Sequence, residues 1–335
     1  MSSRKMPRIT NMISKVTDGE GGEWYSKVVI ECTKPYRYTV TKSDHRVFVQ
    51  CSGAIVNMPE GILEVNDGLL REVGIWQADT ETAEMEIVLE HPAKFHPAAF
   101  EGIPFRLEVI FNRSFIIDLF NDKKIMIDPG HGGKDTGGRG PVNLLEKKVV
   151  VPVAKNLDKL LRRAGAGVVL TRNGDENIPR EKRFKMARQE GTDVYISIHT
   201  YSHANSAVGG AATLYAPMNG RSARLAQYVQ NGLIKKLKVK DRGIREQPEL
   251  AALSNVPAIE VEVVTITNWV EEGLLRSSTV HRKAAEGIFN GLVRYFALTG
   301  RSIKGGPIDS GQDFNQNAHC HRKGRYSGRG EKIYR

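Results

Sequence analysis

The 335-residue sequence has few cysteines, few aromatic residues and no long apolar run. Its three cysteines, Cys32, Cys51 and Cys320, contain no CxxC pair and no even set, which excludes a disulfide-rich framework but leaves a Cys32–Cys51 bridge open. No stretch of about 20 apolar residues is present, so no transmembrane helix is predicted. Residues 1–20 are polar and lack the apolar core of a signal peptide, so no export leader is visible in this chain.

The composition that remains is that of a soluble globular protein with a strong positive charge. Hydrophobic residues make up 40% and charged residues 26% of the chain, and the length suggests two domains. The net charge is +11, and residues 301–335 hold eight basic and three acidic residues among few apolar ones, which predicts a disordered basic tail. A basic protein favours anionic partners, such as cell-wall polymers or nucleic acid. No nucleic-acid recognition motif is present, so we expect no nucleic-acid partner.

The first part of the chain is rich in strand patterns. After a polar leader over residues 1–20, short β-branched and aromatic segments alternate with turn motifs across residues 21–120, and long helical periodicity is absent. This pattern predicts a small all-β, sandwich-like domain that ends near residues 121–124. The clearest predicted strands are 27–32, 46–51, 85–89 and 105–111.

From residue 124 to about 300 strand and helix patterns alternate, which predicts an α/β domain with a doubly wound, mainly parallel sheet flanked by helices. The predicted strands are 124–127, 167–170, 194–198, 211–215 and 258–264. The predicted helices are 146–163, 180–189, 222–237 and 280–298.

The most informative stretch is KIMIDPGHGGKDTGGRGPVNLLE, residues 124–146. It places His131 just beyond the predicted strand, in a glycine-dense loop, and Glu146 at the head of the predicted helix. Ligand sites of open α/β sheets gather at the carboxyl ends of the strands. Alone, a histidine after a turn is usually an ordinary loop residue. The stretch therefore indicates a functional site only if other strands place suitable side chains at the same edge of the sheet.

Two further strands supply such partners. His199 directly follows the predicted strand 194–198, and the predicted strand 258–264 carries Glu260 and Glu262 at alternate positions, hence on one side. A carboxylate within a β-branched strand is costly to bury unless it is paired or bound to a metal. The sequence therefore predicts two histidines and two or three glutamates at one edge of the sheet.

Two imidazoles and one carboxylate suit Zn²⁺ with an open fourth position for water. Zinc lowers the pKa of that water to about 7, and a second, non-ligating glutamate can act as the general base for amide hydrolysis. Two alternatives stay open at this point. His203 has the i, i+4 spacing of a metal pair with His199, and Glu260 could be the base in place of Glu262.

The motifs DPGHGG, ISIH and VPAIEVEV, with Glu146 between the first two, resemble the zinc-dependent N-acetylmuramoyl-L-alanine amidases of the type 3 amidase family. The resemblance extends over residues 124–298. It implies an α/β fold, zinc ligands at His131, Glu146 and His199, and a catalytic glutamate at Glu262. The implied substrate is peptidoglycan, cut at the amide that joins N-acetylmuramic acid to L-alanine.

The resemblance also bears on the rest of the chain. In its overall pattern the region 21–120 resembles AMIN domains, which implies targeting to the cell wall and an extracytoplasmic location, with the basic tail as a possible contact for anionic wall polymers. Val264 and Thr265 depart from the glycine and aromatic residue that usually follow the catalytic glutamate. Residues 200–203 depart from the family pattern after His199, which keeps His203 as a rival ligand. The alternative reading is a non-catalytic wall-binding or regulatory protein that retains the fold.

Overall fold

A computed structural model of the chain describes residues 6–303. Within the described residues the chain divides into two compact units, one built from residues 6–65 and 69–113, the other from Asn66–Gly68 and Ser114–Ala297. The predicted tail 301–335 lies outside the described residues except for 301–303, which are the end of the last helix. None of the helices in the described part is both long and apolar enough to span a membrane.

The N-terminal unit contains two five-stranded sheets, ordered β5-β1-β2-β10-β9 and β3-β4-β8-β7-β6. The strands of this unit are β1 Arg8–Asp18, β2 Trp24–Cys32, β3 Arg37–Ser43, β4 Arg46–Ser52, β5 Ile55–Val56, β6 Gly61–Glu64, β7 Leu70–Gln77, β8 Thr82–Leu89, β9 Phe95–Phe100 and β10 Phe105–Asn112. All pairings are antiparallel except the short one between β1 and β5. The predicted all-β domain is therefore confirmed.

The prediction of a leader over residues 1–20 is wrong for most of that stretch. Residues 8–18 form β1, the longest strand of the unit, and pair with β2 from Ile9 to Asp18 with one irregularity between Ile9 and Asn11. On its other side β1 meets only the two residues of β5, so most of that edge faces solvent. A solvated edge strand favours polar side chains, which explains why the composition resembled a leader.

The core of the N-terminal unit is built by alternation along its strands. In β4 the side chains of Val47, Val49 and Cys51 are buried while their neighbours along the strand are exposed. Cys32 on β2 is also buried, and both cysteines are free thiols, so the bridge that the sequence left open is not formed.

The second unit is a six-stranded sheet, ordered β12-β11-β13-β16-β14-β15, with helices packed against it. Its strands are β11 Lys124–Pro129, β12 Gly167–Leu170, β13 Val194–Tyr201, β14 Ala211–Tyr215, β15 Asp241–Glu246 and β16 Ala258–Thr265. Its helices are α1 Ser114–Phe120, α2 Glu146–Arg163, α3 Arg180–Gln189, α4 Gly220–Leu237, α5 Trp269–Leu275 and α6 Ser278–Ile303, with a 3₁₀ helix at Pro248–Leu253. Four neighbouring strands, β12, β11, β13 and β16, are parallel, and β14 runs antiparallel to β16. The predicted α/β fold with a mainly parallel sheet is confirmed.

Helix α2 sets the position of its first residue, Glu146. Its apolar side chains recur at helical spacing, Val149, Val153 and Leu157 are buried, and the helix as a whole packs against β11, β12 and β13. The start of the helix is thereby fixed next to the carboxyl ends of β11 and β13. The same ends carry His131 and His199.

Candidate active site

The turn that carries His131 is held by two buried arginines. His131 has a left-handed backbone, with φ of 63°, which is strained for a residue with a side chain. Arg172 donates hydrogen bonds to the carbonyl oxygens of Pro129 (2.8 Å) and Gly130 (2.6 Å), and Arg183 donates to that of His131 (2.7 Å). Three successive carbonyls are therefore fixed by guanidinium groups, and the turn keeps its strained shape.

Asp128 anchors this arrangement from the end of β11. Its carboxylate pairs with Arg183 at 2.6 Å and accepts short hydrogen bonds from the hydroxyls of Thr171 and Tyr195. All four side chains are buried. Because every charge in the group has a partner, the cost of burying it is offset.

Glu146 lies at the centre of the site. Its Oε2 atom accepts a hydrogen bond from the N–H of Gly138 (2.8 Å), and its Oε1 atom accepts one from the N–H of Thr200 (2.8 Å). The same carboxylate lies 3.2 Å from Nε2 of His131 and 3.1 Å from Nδ1 of His199. Burial alone would raise the pKa of Glu146, but the hydrogen bonds from the two histidines outweigh it and hold the pKa well below its usual range.

The two histidines each face a carboxylate on the side away from Glu146. Nδ1 of His131 lies 2.9 Å from Asp135, and Nε2 of His199 lies 3.9 Å from Glu260. Burial lowers the pKa of His199, but Glu260 and Glu146 more than compensate and raise it to about 9. The pKa of His131 is raised in the same way, because its contact with Glu146 outweighs its burial.

His131, Glu146 and His199 together form a group that could hold a metal ion, because one ligand atom from each lies within 4.8 Å of the others. The family resemblance implies the same three residues, and the fold brings them together from a loop, a helix start and a strand. Their role as ligands stays a prediction. His199 lies within β13 rather than after it, since the strand continues to Tyr201.

The rival ligand His203 lies outside this group. It is exposed, and its Nδ1 accepts a hydrogen bond from the N–H of Asn205 at 3.0 Å. Because β13 ends at Tyr201 and a turn follows, the helical i, i+4 geometry with His199 does not form.

Glu262 lies beside the group, on β16, opposite His199 in the β13–β16 register. Its Oε2 atom accepts hydrogen bonds from Nη1 of Arg242 (3.0 Å) and Nη2 of Arg245 (2.7 Å). The guanidinium of Arg242 also stacks on the ring of Tyr201, 3.5 Å from its centroid. Burial raises the pKa of Glu262, although the two arginines partly oppose the shift.

Neither arginine is predicted as a site residue from the sequence, and a bulge in β15 explains why. Arg242 and Arg245 are three residues apart, so in a regular strand they would face opposite sides. The pairing with β14 moves from Asp241 opposite Ala211 to Ile244 opposite Thr213, which adds one residue to β15, and Gly243 has a φ of 75° at this point. The bulge brings both side chains to Glu262. The only signal of this bulge in the sequence is the glycine that follows Arg242, and a single glycine is weak evidence by itself.

Two adjacent glutamates on α5 fix the loops around the site. Glu272 accepts hydrogen bonds from the N–H groups of Val142 (2.7 Å) and Leu144 (3.0 Å), in the loop that leads to Glu146. Glu271 accepts hydrogen bonds from the N–H groups of Gly210 and Thr265, both at 2.7 Å. Both carboxylates are buried, so they replace water as partners of these backbone groups.

A cavity of ≈130 Å³ lies next to the histidines. Its lining includes His131, His199, Gln247 and Glu260. A substrate group could therefore approach the two imidazoles from this side.

Residues 125–294, which include all of these side chains, match the family model of N-acetylmuramoyl-L-alanine amidase. The matched part is 170 of the 335 residues. The chain belongs to this amidase family. The sheets of the N-terminal unit lie outside the matched residues, so the AMIN-like role of that unit stays a prediction.

Individual amidases agree with the family assignment. N-acetylmuramoyl-L-alanine amidase AmiA of Salmonella typhimurium is 31% identical over 218 residues, which cover 51% of this chain and 75% of that protein. The structure of amidase AmiC2 of Nostoc punctiforme has a TM-score of 0.50 at 31% identity and covers 52% of this chain and 97% of its own. The amidase of Clostridium difficile 630 has a TM-score of 0.50 at 34% identity, covering 55% of this chain and 100% of its own.

Proposed function

We propose that this chain is a zinc-dependent amidase that hydrolyses the amide bond between N-acetylmuramic acid and L-alanine in peptidoglycan. The observation that carries the proposal is the convergence of His131, Glu146 and His199 on one point in a member of this amidase family. Glu262, one strand away, supplies a second carboxylate that is not part of that group.

The donor set fits zinc. Two imidazole nitrogens and one carboxylate oxygen are the usual ligands of catalytic zinc, and three protein ligands leave a position for water or substrate. Asp135 and Glu260 lie behind the two imidazoles, as the supporting carboxylates of zinc sites do. When bound, zinc would supply Lewis-acid chemistry and make hydroxide available near neutral pH.

In this proposal Glu262 moves the proton. Both arginines bind its Oε2 atom, which leaves Oε1 to accept a proton from the attacking water. The protonated Glu262 then donates that proton to the nitrogen of L-alanine as the amide C–N bond breaks. Its raised pKa suits both steps, because a carboxyl group closer to neutral pH accepts and returns a proton more readily.

The rest of the chain has a proposed role in localisation. Peptidoglycan is outside the cytoplasmic membrane, so the proposed activity requires an extracytoplasmic location in the cell wall or periplasm. We propose that the N-terminal sheets act as an AMIN-like wall-targeting unit. Contact of the basic residues 301–335 with anionic wall polymers stays a prediction, since nearly all of them lie outside the described residues.

The decisive variant is Glu262→Gln. We expect the release of stem peptides from purified peptidoglycan to fall by about 10²–10⁴-fold, the usual contribution of a general acid–base group, while zinc stays bound at one ion per chain. Glu246→Gln, an exposed glutamate of β15, is the matched control and should keep full activity. Unchanged turnover in the Glu262 variant would contradict the mechanism.

The zinc content of the purified protein distinguishes the proposed amidase from a non-catalytic wall-binding protein with the same fold. Purified protein should contain one zinc per chain, and His131→Ala should lose it. The opposite outcome is a wild-type protein that binds no zinc even when zinc is supplied, and that binds purified sacculi without releasing peptides. That result would support the hypothesis of a non-catalytic wall-binding protein and contradict the proposal.

A further inference from the structure

We propose that Arg245 binds a carboxylate of the substrate, the one on the residue that follows L-alanine in the stem peptide. The inference rests on the proposed amidase function and deepens it, because it names a further group of the substrate that the site selects. The proposed proton transfer needs one donor to hold Oε2 of Glu262, and this chain supplies two.

The two arginines beside Glu262 differ in how far they are exposed. Both reach Glu262 by crossing β14, which lies between β15 and β16 in the sheet. Ala212 of β14 lies opposite Glu262, and its methyl side chain leaves room for the arginines to cross. The side chain of Arg242 is 11% exposed and stacks on Tyr201, whereas that of Arg245 is 41% exposed. Arg242 is therefore fixed inside the protein, while Arg245 faces the solvent from which a substrate arrives.

Positive charge is in excess around Glu262. Two guanidinium groups share one of its oxygens, Oε2, and in the part of the chain that the structure describes neither forms an ion pair with another carboxylate. Glu260, the other glutamate of β16, accepts a hydrogen bond from Gln247 instead. A guanidinium carries five N–H donors in a planar fork that matches a carboxylate. Arg245 donates one of them to Glu262, so its solvent side can still bind a second carboxylate.

The reach of Arg245 selects which carboxylate it can bind. In the proposed mechanism Glu262 donates a proton to the nitrogen of L-alanine, and Arg245 lies one hydrogen bond of 2.7 Å from Glu262. An extended peptide advances by about 3.3–3.6 Å per residue. The residue directly after L-alanine is therefore within reach of the remaining N–H groups of Arg245. A carboxylate there would form charge-assisted hydrogen bonds with the guanidinium.

The bulge in β15 serves this arrangement. In a regular strand Arg242 and Arg245 would face opposite sides of the sheet, and only one of them would meet Glu262. The extra residue in β15 brings both to the same side, as bulges next to active sites do when they redirect a side chain. One arginine then positions Glu262, and the other is available to the substrate.

The preference can be measured in the zinc-loaded wild-type protein with two N-acetylmuramoyl peptides. Their second residue is D-glutamate in one and D-isoglutamine in the other, so they differ only in whether the α-carboxyl group is a carboxylate or an amide. We expect kcat/KM to be about 10–100-fold higher for the carboxylate, the usual effect of a hydrogen bond to a charged group. The difference should lie mainly in KM, because this group is remote from the reacting atoms. Equal values for the two peptides would overturn the inference.

Substitutions at Arg245 test whether this residue is responsible for the preference. Arg245→Gln should lower kcat/KM for the carboxylate peptide to the level of the amide peptide, whereas a residue that only holds Glu262 would lower kcat for both peptides by the same factor. Arg245→Lys keeps the charge and should keep part of the preference. Lys240→Gln, which removes an exposed positive charge just before β15, is the matched control and should keep all of it. A wild-type preference in Arg245→Gln would contradict the proposed contact.

The outcomes distinguish this inference from the function on which it rests. A wild-type protein that cleaves neither these peptides nor purified peptidoglycan contradicts both. A wild-type protein that cleaves the two peptides equally well supports the amidase function and contradicts the role of Arg245 alone.

Discussion

The two units differ most in the charge that they bury. Among the described residues the N-terminal unit buries one carboxylate, Glu108, whose partner is Lys27 at 2.9 Å. The α/β unit buries six: Asp128, Glu146, Glu260, Glu262, Glu271 and Glu272. A buried carboxylate is costly unless each oxygen finds a donor, so its presence needs a reason. In the α/β unit all six lie at the site or hold the backbone around it.

The comparison teaches that the units keep their shape by different means. The N-terminal sheets rely on alternating apolar side chains, as in β4. The edge of the α/β sheet relies on a network of buried charged side chains. Each carboxylate in it depends on the particular donor groups that contact it, because no water is available to replace them. Comparable substitutions should therefore have unequal effects in the two units.

A pair of glycine substitutions should give the largest contrast. A Cβ atom at Gly137 would lie 2.5 Å from the His131 ring and 2.7 Å from Oε2 of Glu146, so Gly137→Ala should displace these two proposed ligands and reduce zinc affinity and activity by about 10–100-fold. Gly53 has a φ of 73°, similar to the 63° of Gly137, but no atom lies close to where its Cβ would be. Gly53→Ala should therefore cost only about 1 kcal/mol of stability. Zinc analysis and thermal unfolding would check the pair. Retention of zinc by Gly137→Ala would show that the loop yields easily.

Two arginines should give the next contrast, in stability. Arg183→Met leaves Asp128 buried without its charged partner and removes donors to the carbonyls of the His131 turn, so we expect a loss of about 3–5 kcal/mol in the free energy of unfolding. Arg106→Met removes the half-exposed ion pair with Glu31 in the N-terminal unit and should cost at most about 1 kcal/mol. Urea unfolding of both variants measures the difference. Equal losses would mean that the network at Asp128 tolerates an unpaired charge.

The smallest effect is a pH dependence of the metal-free protein. The folded state raises the pKa of His199 from 6.5 to about 9, so this contribution to stability is fully present below pH 6.5 and is lost as the pH rises to about 9. A loss on the order of 1–3 kcal/mol is expected, since one pKa unit corresponds to about 1.4 kcal/mol. Unfolding at pH 6 and pH 9 in the presence of a chelator would measure it.

The control for this prediction is His199→Gln, which lacks the titrating group. Its stability should change less between the two pH values than that of the wild type. A wild-type protein whose stability rises with pH across this window would contradict the sign of the effect.

Local patterns were enough to predict much of the α/β unit. The bounds of α2 and α3, and of the strands β12 and β14, agree with the sequence-based predictions, because each element carries its own periodicity and turn residues. Local patterns predict that several histidines and glutamates meet at one edge of the sheet, and the family resemblance, rather than these patterns, implies His131, Glu146 and His199 as the ligands.

The remaining features depend on contacts that no local pattern encodes. The pairing of Arg242 and Arg245 with Glu262 requires a bulge in β15, which depends on register with β14. Glu272 binds backbone groups about 130 positions earlier in the chain, at Val142 and Leu144. Residues 8–18 read as a polar leader because an edge strand and a solvated segment have similar compositions.

The two arginines that hold the His131 turn also determine how the proposed enzyme should respond to the loss of its metal. Arg172 and Arg183 donate hydrogen bonds to the carbonyls of residues 129–131, so the protein's own side chains hold the shape of this turn. In the proposed enzyme, removal of zinc should therefore stop the reaction and leave the turn folded, so that activity returns when zinc is supplied again.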